Sequence, residues 1–480
     1  AAGIETEDTH AYSMRVEGPI GESLSFRVSG SKNQKGAHFR ANDNGELGRE
    51  RTDAVAAQLV WQPVDGLRLR LRHSEAWQDD SRHGVVFLNA NRPLLRDAKN
   101  RCQTGLQPYF CGELPTIGSP GTPEQFISVS TSLTPPVFTR SNNPNLITDV
   151  LNNNLPNPLV VNGLPYITET PHLNHIGLEG RFTRTAFEAG YEFGGGMALD
   201  LVVSDSEFRA TSANSASDDR GNGVNISTNV LKDQSADLRL RSGAGQRLTW
   251  LVGANYFKQE SLGGEGGTGA VASVNELTNV VSYVEPAVFA DQASLESRSV
   301  FAALGFKITE ALSFDVEGRY VKDDVTSSIG LATQATEKYD NFTPRVILTW
   351  QPVDDLTLYG SWAQAALPGL RNSNTSLFFP DIQARGRAYP GYVDVGPEEK
   401  LDNYELGIKQ KLERFRYALT AYHMKWSNLK DNVFTQCRFF VACGDTVITP
   451  FARTTLPTDA EISGFEAEVD VVLTPGWSVA

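Results

Sequence analysis

One pattern runs along almost the whole chain: an alternating apolar and polar strand, a tight turn, a second alternating strand, and a long polar connection. The tight turns fall at Gly18–Ser23, Pro63–Gly66, Gly194–Gly196, Gly243–Gln246, Thr309–Ala311, Pro352–Asp355, Leu412–Arg414 and Thr474–Gly476. The connections are Ser31–Thr52, Ala76–His172, Asp205–Lys232, Gln259–Leu295, Asp323–Asp340, Gln364–Leu401 and Ser427–Glu461. Short turns on one side and long connections on the other are typical of an antiparallel up-and-down β-barrel whose two rims face different compartments. The sequence therefore predicts an all-β transmembrane barrel with short periplasmic turns and long extracellular loops.

Composition is compatible with this prediction. A hydrophobic content of 40% and a mean hydropathy of −0.29 resemble those of a soluble protein, and no run of about 18 apolar residues could form a transmembrane helix. Barrel strands alternate lipid-facing and lumen-facing residues, so their average hydropathy is ordinary. The net charge of −14 argues against nucleic acid as a partner, because nucleic-acid binding requires basic surface.

The charged columns on the strands have two interpretations. In Leu67–Arg72 leucines alternate with arginines, and in Phe465–Val471 apolar residues alternate with acidic ones. The polar face is either the solvated surface of a soluble β-sandwich or the hydrated interior of a barrel. Segments of about 9–11 alternating residues favour the barrel, and mixed charge signs favour a lumen filled by a polar plug over an ion-selective pore. Aromatic residues near strand ends fit interfacial belts: Trp61, Trp77, Trp250, Tyr256, Phe257, Trp350, Trp362, Trp426 and Trp477.

The four cysteines form two close pairs inside long connections, Cys102 with Cys111 and Cys437 with Cys443. In an oxidising compartment such pairs form disulfides that close mobile loops, so two disulfides are predicted. The alternative is four free buried thiols, which polar neighbours such as Asn100 and Asp445 make the weaker interpretation.

Three segments resemble TonB-dependent outer-membrane receptors. They are Leu356–Asn372 (LTLYGSWAQAALPGLRN), Pro397–Asp431 (beginning PEEKLDNYELGIK) and Ile462–Val479 (beginning ISGFEAEV), in the order and approximate spacing of that family. The chain departs from the family in Ala365–Gly369, which lacks the usual aromatic and basic residues before the proline. The resemblance therefore implies no loop-packing role for Ala365, Ala366 and Leu367.

The resemblance implies a barrel of about 22 strands with an N-terminal plug. Two strands for each tight turn give about sixteen, with Ala1–Val16 as the family's second strand. Residues 1–480 are therefore expected to be a partial barrel domain, an open section without the plug, the first strand and about five final strands.

The implied function is outer-membrane uptake of a scarce ligand, most simply a ferric siderophore, energised by the TonB–ExbB–ExbD complex through the plug. The implied partners are that complex, a small extracellular ligand and the lipid bilayer. The open alternatives are a passive porin-type channel, a receptor for carbohydrate or cobalamin, and a soluble surface-binding β-protein.

One connection carries the candidate ligand-binding residues. Aromatic and guanidinium side chains cluster within a short part of Gln364–Leu401, namely Phe378, Phe379, Arg385, Arg387, Tyr389 and Tyr392. Such groups could hold the catecholate or carboxylate groups of a siderophore by stacking and bidentate pairing. The alternative is that they pack loop against loop.

No motif indicates an enzyme. The sequence has no G-x-S-x-G elbow, zinc-protease helix or phosphate loop. Gly264–Gly269 matches G-x-G-x-x-G without the strand-to-helix context that the motif needs. His172 and His175 lack the further ligands of a metal site. No catalytic residue, cofactor or metal ligand is predicted.

Overall fold

The computed structural model describes residues 2–5, 9–37, 39–40, 46–81, 95–96, 102–104, 107–109, 159–161, 164–167, 177–215, 223–262, 270–275, 280–284, 292–329, 333–372, 390–436, 451–474 and 477–479. The strands are β1 (Ala2–Glu5), β2 (Thr9–Pro19), β3 (Leu24–Lys35), β4 (Phe39–Arg40), β5 (Glu46–Leu47), β6 (Glu50–Trp61), β7 (Leu67–Ser81), β8 (Leu95–Arg96), β9 (Cys102–Thr104), β10 (Gln107–Tyr109), β11 (Leu159–Val161), β12 (Leu164–Ile167), β13 (Gly177–Glu192), β14 (Ala198–Ser215), β15 (Gly223–Arg241), β16 (Leu248–Leu262), β17 (Ala270–Asn275), β18 (Val280–Val284), β19 (Gln292–Lys307), β20 (Leu312–Ile329), β21 (Thr333–Val353), β22 (Leu356–Leu367), β23 (Glu399–Lys411), β24 (Phe415–Gln436), β25 (Phe451–Thr474) and β26 (Trp477–Val479). A single 3-10 turn, Gly194–Gly196, lies between β13 and β14 among these described residues.

The long strands form one antiparallel meander. Each pairs with the next in the order β1, β2, β3, β6, β7, β13, β14, β15, β16, β19, β20, β21, β22, β23, β24, β25, β26. The hairpin of β17 and β18 joins the sheet through the loop-side end of β15. All eight predicted tight turns connect neighbouring strands, which confirms the barrel-wall topology.

Two expectations about the strands are wrong in detail. Ala1–Val16 was expected as one strand, whereas β1 and β2 pair antiparallel within it. Whole strands also exceed 9–11 residues, since β24 has 22 and β25 has 24. The pairing continues beyond the apolar part of each strand, because backbone hydrogen bonds can extend a hairpin into water without an apolar face.

Strand register places the charged columns on one face. Arg70 lies opposite Glu188, Asp237 opposite Asn255, and Glu405 opposite Tyr422, all on the same side of the sheet. The other side carries large apolar side chains that remain exposed, including Leu406 and Phe465 at 67% each. Exposed apolar surface of this extent requires lipid or protein to cover it. We name the charged side the lumenal face and the apolar side the outward face.

The outward face is apolar only near the tight turns. Counting from the turn, three to five successive outward positions per strand are mainly apolar or aromatic before the first charged or amide residue. On β14–β16 and β19–β25 the first such residues beyond the apolar positions are Asp205, Gln234, Lys258, Arg298, Lys322, Asp340, Gln364, Asp402, Lys425 and Glu461, and on β23 the amide Gln410 also lies at the turn end. Strand register aligns several of these, for example Lys322 opposite Asp340. The membrane-spanning part is therefore the turn-side part of each strand, and the rest extends beyond the apolar band.

The predicted aromatic belts are correct for most positions. Trp250 and Trp350 lie on the outward face at the turn side, and Tyr256 and Trp362 lie on it at the far edge of the apolar band. Two positions are different. Phe257 lies on the lumenal face, two residues after Asn255 on the same strand. Trp426 lies there as well, since its indole Nε1 donates to Glu399 Oε2 at 3.0 Å. Its role is therefore polar anchoring rather than membrane contact.

The two edges of the described sheet are unpaired with each other. β1 pairs with β2, and β26 pairs with β25, with no pairing between β1 and β26 in the described residues. Within the same residues, no helix has the length and apolar character needed to cross a membrane.

Candidate functional site

The predicted ligand-binding residues lie mostly outside the described residues. Phe378, Phe379, Arg385, Arg387 and Tyr389 fall in residues 373–389, so their placement stays a prediction. Tyr392 is described, and its hydroxyl donates to Asp394 Oδ1 at 2.9 Å.

The predicted disulfides also stay predictions. Cys111, Cys437 and Cys443 lie outside the described residues, and Cys102 is described only as part of the short strand β9.

The two segments that enter and leave this connection are well defined. Residues 368–372 and 390–398 lie beside each other at the loop-side ends of β21 to β25, and we name them together the outer platform. Gly396 N donates to Leu370 O at 2.8 Å, and Asn372 N donates to Asp394 O at 2.9 Å. Arg371 and Val395 form an isolated antiparallel bridge. The base of the predicted ligand loop is thus fixed by backbone pairing.

Close backbone contact explains why glycine follows proline at Pro368–Gly369, a dipeptide within one of the segments that resemble the family. A Cβ on Gly369 would overlap the carbonyl of Gly396, so only glycine fits there. The adjacent Pro368 O accepts a hydrogen bond from Lys430 Nζ at 2.8 Å. Leu367, one of the residues that depart from the family pattern, is 55% exposed and does not hold the platform in place.

Tyr339 of β21 packs against the platform beyond the apolar band. Its hydroxyl donates to Gly396 O at 3.4 Å. Burial raises the pKa of the Tyr339 phenol above its ordinary value, and the nearby Glu398 carboxylate raises this pKa further. The neutral phenol is therefore the form that the folded platform favours.

Side chains tie the platform to the barrel wall. Asn372 Nδ2 donates to Thr455 O at 2.8 Å, and Thr455 N donates to Asn372 Oδ1 at 2.9 Å. Arg371 forms an ion pair with Glu337 of β21. The platform covers the loop-side part of β25, where Thr454, Thr455 and Leu456 are all buried.

Two adjacent glutamates at the start of β23 carry the remaining anchors. Glu399 is 5% exposed, and Lys430 Nζ lies 3.0 Å from its Oε1 while the Trp426 indole donates to its Oε2. Asn341 Nδ2 donates to Glu398 Oε1 at 2.7 Å. These bonds satisfy the buried carboxylate, which would otherwise be costly in a partly dry site.

A β-bulge in β24 completes the anchoring. The register between β24 and β25 shifts between Trp426 and Leu429, and Asn428 adopts φ +57°. Asparagine tolerates this left-handed conformation better than most residues. Its Nδ2 donates to Glu398 O at 2.9 Å, and its backbone N–H donates to Asp459 Oδ1 at 3.0 Å. The bulge therefore aims a polar side chain at the platform.

On the lumenal face, nearer the tight turns than the outer platform, aromatic rings lie over glycines of the neighbouring strand. Tyr359 covers Gly407, its directly opposed residue, and Tyr422 covers Gly464 in the same way. A Cβ on either glycine would overlap the ring. The Tyr359 hydroxyl donates to Glu405. Ring-on-glycine packing fills the space that a glycine leaves in a strand.

Ion pairs cross between neighbouring strands of the lumenal face. Arg27 Nε lies 2.6 Å from Glu17, and Arg345 Nη1 lies 3.4 Å from Glu317. Arg70 pairs with Glu188, and Arg416 pairs with Asp470. A lining with both charge signs can hold a hydrated, polar content by hydrogen bonds and charge pairing. The described residues hold no group of three or more His, Cys, Asp or Glu side chains arranged around a common point.

Sequence patterns alone assign no anchoring role to these residues. Glu398, Glu399, Glu405 and Gly407 all lie in the PEEKLDNYELGIK segment, which served there only as a sign of resemblance. The paired acidic residues just before an alternating strand were an available signal for a polar anchor. Their partners, Asn341, Trp426 and Lys430, come from other strands, so pairing could not be read locally.

A family model described as "TonB dependent receptor-like, beta-barrel" matches residues 123–480. No curated protein sequence matches the chain.

Solved structures share the fold at low sequence identity. The ferric yersiniabactin uptake receptor FyuA from Yersinia pestis aligns with a TM-score of 0.60 and 12% identity, covering 98% of this chain and 58% of that chain. The copper transporter OprC aligns with a TM-score of 0.61 and 10% identity over the same shares. The siderophore receptor PiuA from Acinetobacter baumannii aligns with a TM-score of 0.56 and 13% identity, over 98% of this chain and 60% of that chain. The chain thus spans less than two thirds of the length of these receptors.

Proposed function

Because the chain belongs to the TonB-dependent receptor-like β-barrel family, we propose that it forms the barrel wall of an outer-membrane receptor that takes up a scarce ligand with energy supplied through TonB. The observation that carries this proposal is the agreement between the family match and the two faces of the sheet. An apolar outward band at the turn side and a charged lumenal face are what a lipid-spanning wall around a hydrated interior requires. The wall supplies capture loops and a polar passage, and performs no chemical step.

A ferric siderophore is the ligand that we propose. FyuA is described as a ferric yersiniabactin uptake receptor and PiuA as a siderophore receptor, which supports this choice. OprC shares the fold equally well and is described as a copper transporter, so fold alone does not select the ligand. In this chain, the feature that supports a siderophore ligand is the outer platform, because it holds the base of a connection rich in aromatic and guanidinium groups.

The proposed partners follow from the same assignment. TonB, acting with ExbB and ExbD, would act on a plug domain in the complete receptor, and the outward band would contact the lipid bilayer. The proposed location is the outer membrane of a Gram-negative bacterium.

Uptake by whole cells tests the function. We expect transcription of the complete gene to rise under iron starvation, and a deletion strain to lose uptake of iron-55 carried by its siderophore. Loss of the same uptake in a strain without TonB separates active transport from a passive channel, which would retain it. Induction by a glycan or dependence on cobalamin instead would assign one of the alternative ligands. A product that stays soluble without detergent would contradict every barrel interpretation.

A variant of the predicted ligand loop tests the site. We expect the double variant Arg385→Gln/Arg387→Gln to weaken ligand binding about tenfold or more, because each guanidinium could form charge-assisted hydrogen bonds to an anionic ligand. Arg414→Gln is the matched control, since Arg414 lies in a tight turn at the opposite rim. Equal binding by the two variants would show that these arginines do not bind the ligand. It would not contradict the proposed uptake function.

A further inference from the structure

Three neighbouring strands carry basic residues at the point where their outward faces leave the apolar band. The first polar outward residue is Lys258 on β16, Arg298 on β19 and Lys322 on β20, and these strands pair in that order. On the strands directly to either side, the corresponding residue is an amide or an acid, namely Gln234 of β15 and Asp340 of β21. The edge of the apolar band is therefore locally basic at these three strands.

The acidic side chains of the same strands lie one outward position farther from the apolar band. They are Glu260, Glu296 and Asp324, each two residues beyond the basic residue of its own strand. Lys258 Nζ lies 2.6 Å from Glu260 Oε1, and Arg298 pairs with Glu296. An anion that approaches from the membrane therefore meets the basic groups before the acidic ones.

Arg298 and Lys322 retain donors for a ligand. The Arg298 side chain is 64% exposed and contacts Glu296 through Nη2, which is one part of a guanidinium with five N–H donors. Asp340 lies opposite Lys322, but it accepts a hydrogen bond from the Tyr320 hydroxyl at 2.9 Å. Within the part of the chain that the structure describes, no carboxylate pairs with Lys322, whose Nζ lies 5.8 Å from the centre of the Tyr320 ring.

A shallow groove lies in the apolar band on the turn side of these two cations. One row of directly opposed outward residues forms its base: Leu201, Leu238, Ala254, Val300 and Tyr320. The small Ala254 lies between the larger Leu238 and Val300, which leaves a depression of about 480 Å³ with Arg298 and Lys322 at its edge. Because the groove is on the outward face, a plug in the lumen does not reach it.

We propose that this groove and the pair of Arg298 and Lys322 form a binding site for a phosphorylated lipid of the membrane leaflet on the long-loop side. An acyl chain packs over Ala254, and the lipid phosphate accepts charge-assisted hydrogen bonds from the guanidinium and the ammonium. Basic pockets at the edge of a bilayer bind lipid head groups by this charge pairing. The proposal rests on the proposed function only in requiring that the outward band spans a membrane.

Native mass spectrometry of the full-length receptor in a neutral detergent measures the binding. Dioleoyl phosphatidic acid is the probe, and dioleoylglycerol is its counterpart without phosphate. We expect phosphatidic acid to bind about tenfold more tightly than dioleoylglycerol, and the double variant Arg298→Gln/Lys322→Gln to abolish this difference. Ala254→Leu should weaken phosphatidic acid binding several-fold without a change of charge, because the larger side chain occupies the groove.

Each variant has a matched control on β24. Lys425→Gln removes a basic residue at the same edge of the apolar band, where Asp402 and Glu461 lie directly opposite it. Ala421→Leu enlarges an exposed outward alanine. Both controls should bind phosphatidic acid as the wild type does, and heat-modifiable gel migration establishes that each variant is folded.

Equal binding of the two lipids by the wild type, or equal losses in the variants and their controls, would overturn the proposal. Release of the lipid by inorganic phosphate at the same concentration would also overturn it, because the site would then bind the anion without the acyl chains. The measurement needs neither TonB nor a siderophore. A failed lipid test therefore leaves the uptake proposal standing, and a failed uptake test leaves the lipid site standing.

Discussion

Asn372 and Thr455 lie 83 residues apart in the sequence and exchange two hydrogen bonds between the Asn372 amide and the Thr455 backbone, at 2.8 and 2.9 Å. The same amide nitrogen donates to Val393 O at 2.7 Å. One side chain therefore holds together both segments of the outer platform and the loop-side part of β25.

Asn372→Ala should loosen the platform. It leaves the Thr455 amide and two carbonyls without their partner, which costs about 1–3 kcal/mol when such groups are buried. Hydrogen exchange measured by mass spectrometry should show faster exchange of the peptide containing Thr455. Asn255→Ala, on the lumenal face far from the platform, should leave that peptide unchanged, and equal protection in both variants would contradict the clamp.

Gly407→Ala should destabilise the barrel wall, because the added methyl group overlaps the Tyr359 ring. Overpacking of this kind costs about 1–3 kcal/mol. The midpoint of thermal unfolding in detergent, followed by heat-modifiable gel migration, measures the effect. Gly360→Ala is the control, since its nearest neighbour atom would lie at an ordinary 3.8 Å. A similar loss in both variants would mean that strand propensity rather than the ring is responsible.

Glu399→Ala should be among the more damaging single substitutions. It leaves Lys430 and the Trp426 indole without their acceptor, and removing one partner of a buried ion pair costs about 3–5 kcal/mol. Urea unfolding followed by tryptophan fluorescence gives the free energy of unfolding. The control Glu413→Ala, in an exposed tight turn, should change stability by less than about 0.5 kcal/mol.

The Tyr339 phenol should make stability depend on alkaline pH. Burial beside Glu398 raises its folded pKa above the ordinary tyrosine value of 10.0. The stabilisation is therefore fully present below pH 10.0 and is lost as pH rises through the folded pKa. Tyr339→Phe should lose this part of the alkaline slope in the free energy of unfolding. An identical slope in wild type and variant would show that another group titrates.

Both cysteine pairs should be oxidised. A maleimide should modify none of Cys102, Cys111, Cys437 and Cys443 before reduction, and all four after reduction and unfolding. Peptide mapping assigns the label to each pair separately. Labelling of one pair in the unreduced protein would contradict the disulfide predicted for that pair and would not affect the prediction for the other pair.

Local sequence was sufficient for the wall and insufficient for the platform. Alternation of period two defines the two faces of each strand wherever the strand is placed, so the charged column of Leu67–Arg72 was assigned correctly. The tight turns were found because glycine, proline and aspartate have specific backbone preferences. The full length of β24 and β25 was missed, since pairing outside the apolar band leaves no hydrophobic period.

The sequence by itself determined an antiparallel meander with a polar and an apolar face, two unequal rims and a family resemblance in three segments. Those properties follow from local periodicity and turn chemistry. Only the tertiary structure decided which residues meet across strands. The Asn372 clamp, the anchored Glu399 and the Tyr359 ring over Gly407 each combine groups from separate strands, because strand register converts distant sequence positions into direct neighbours.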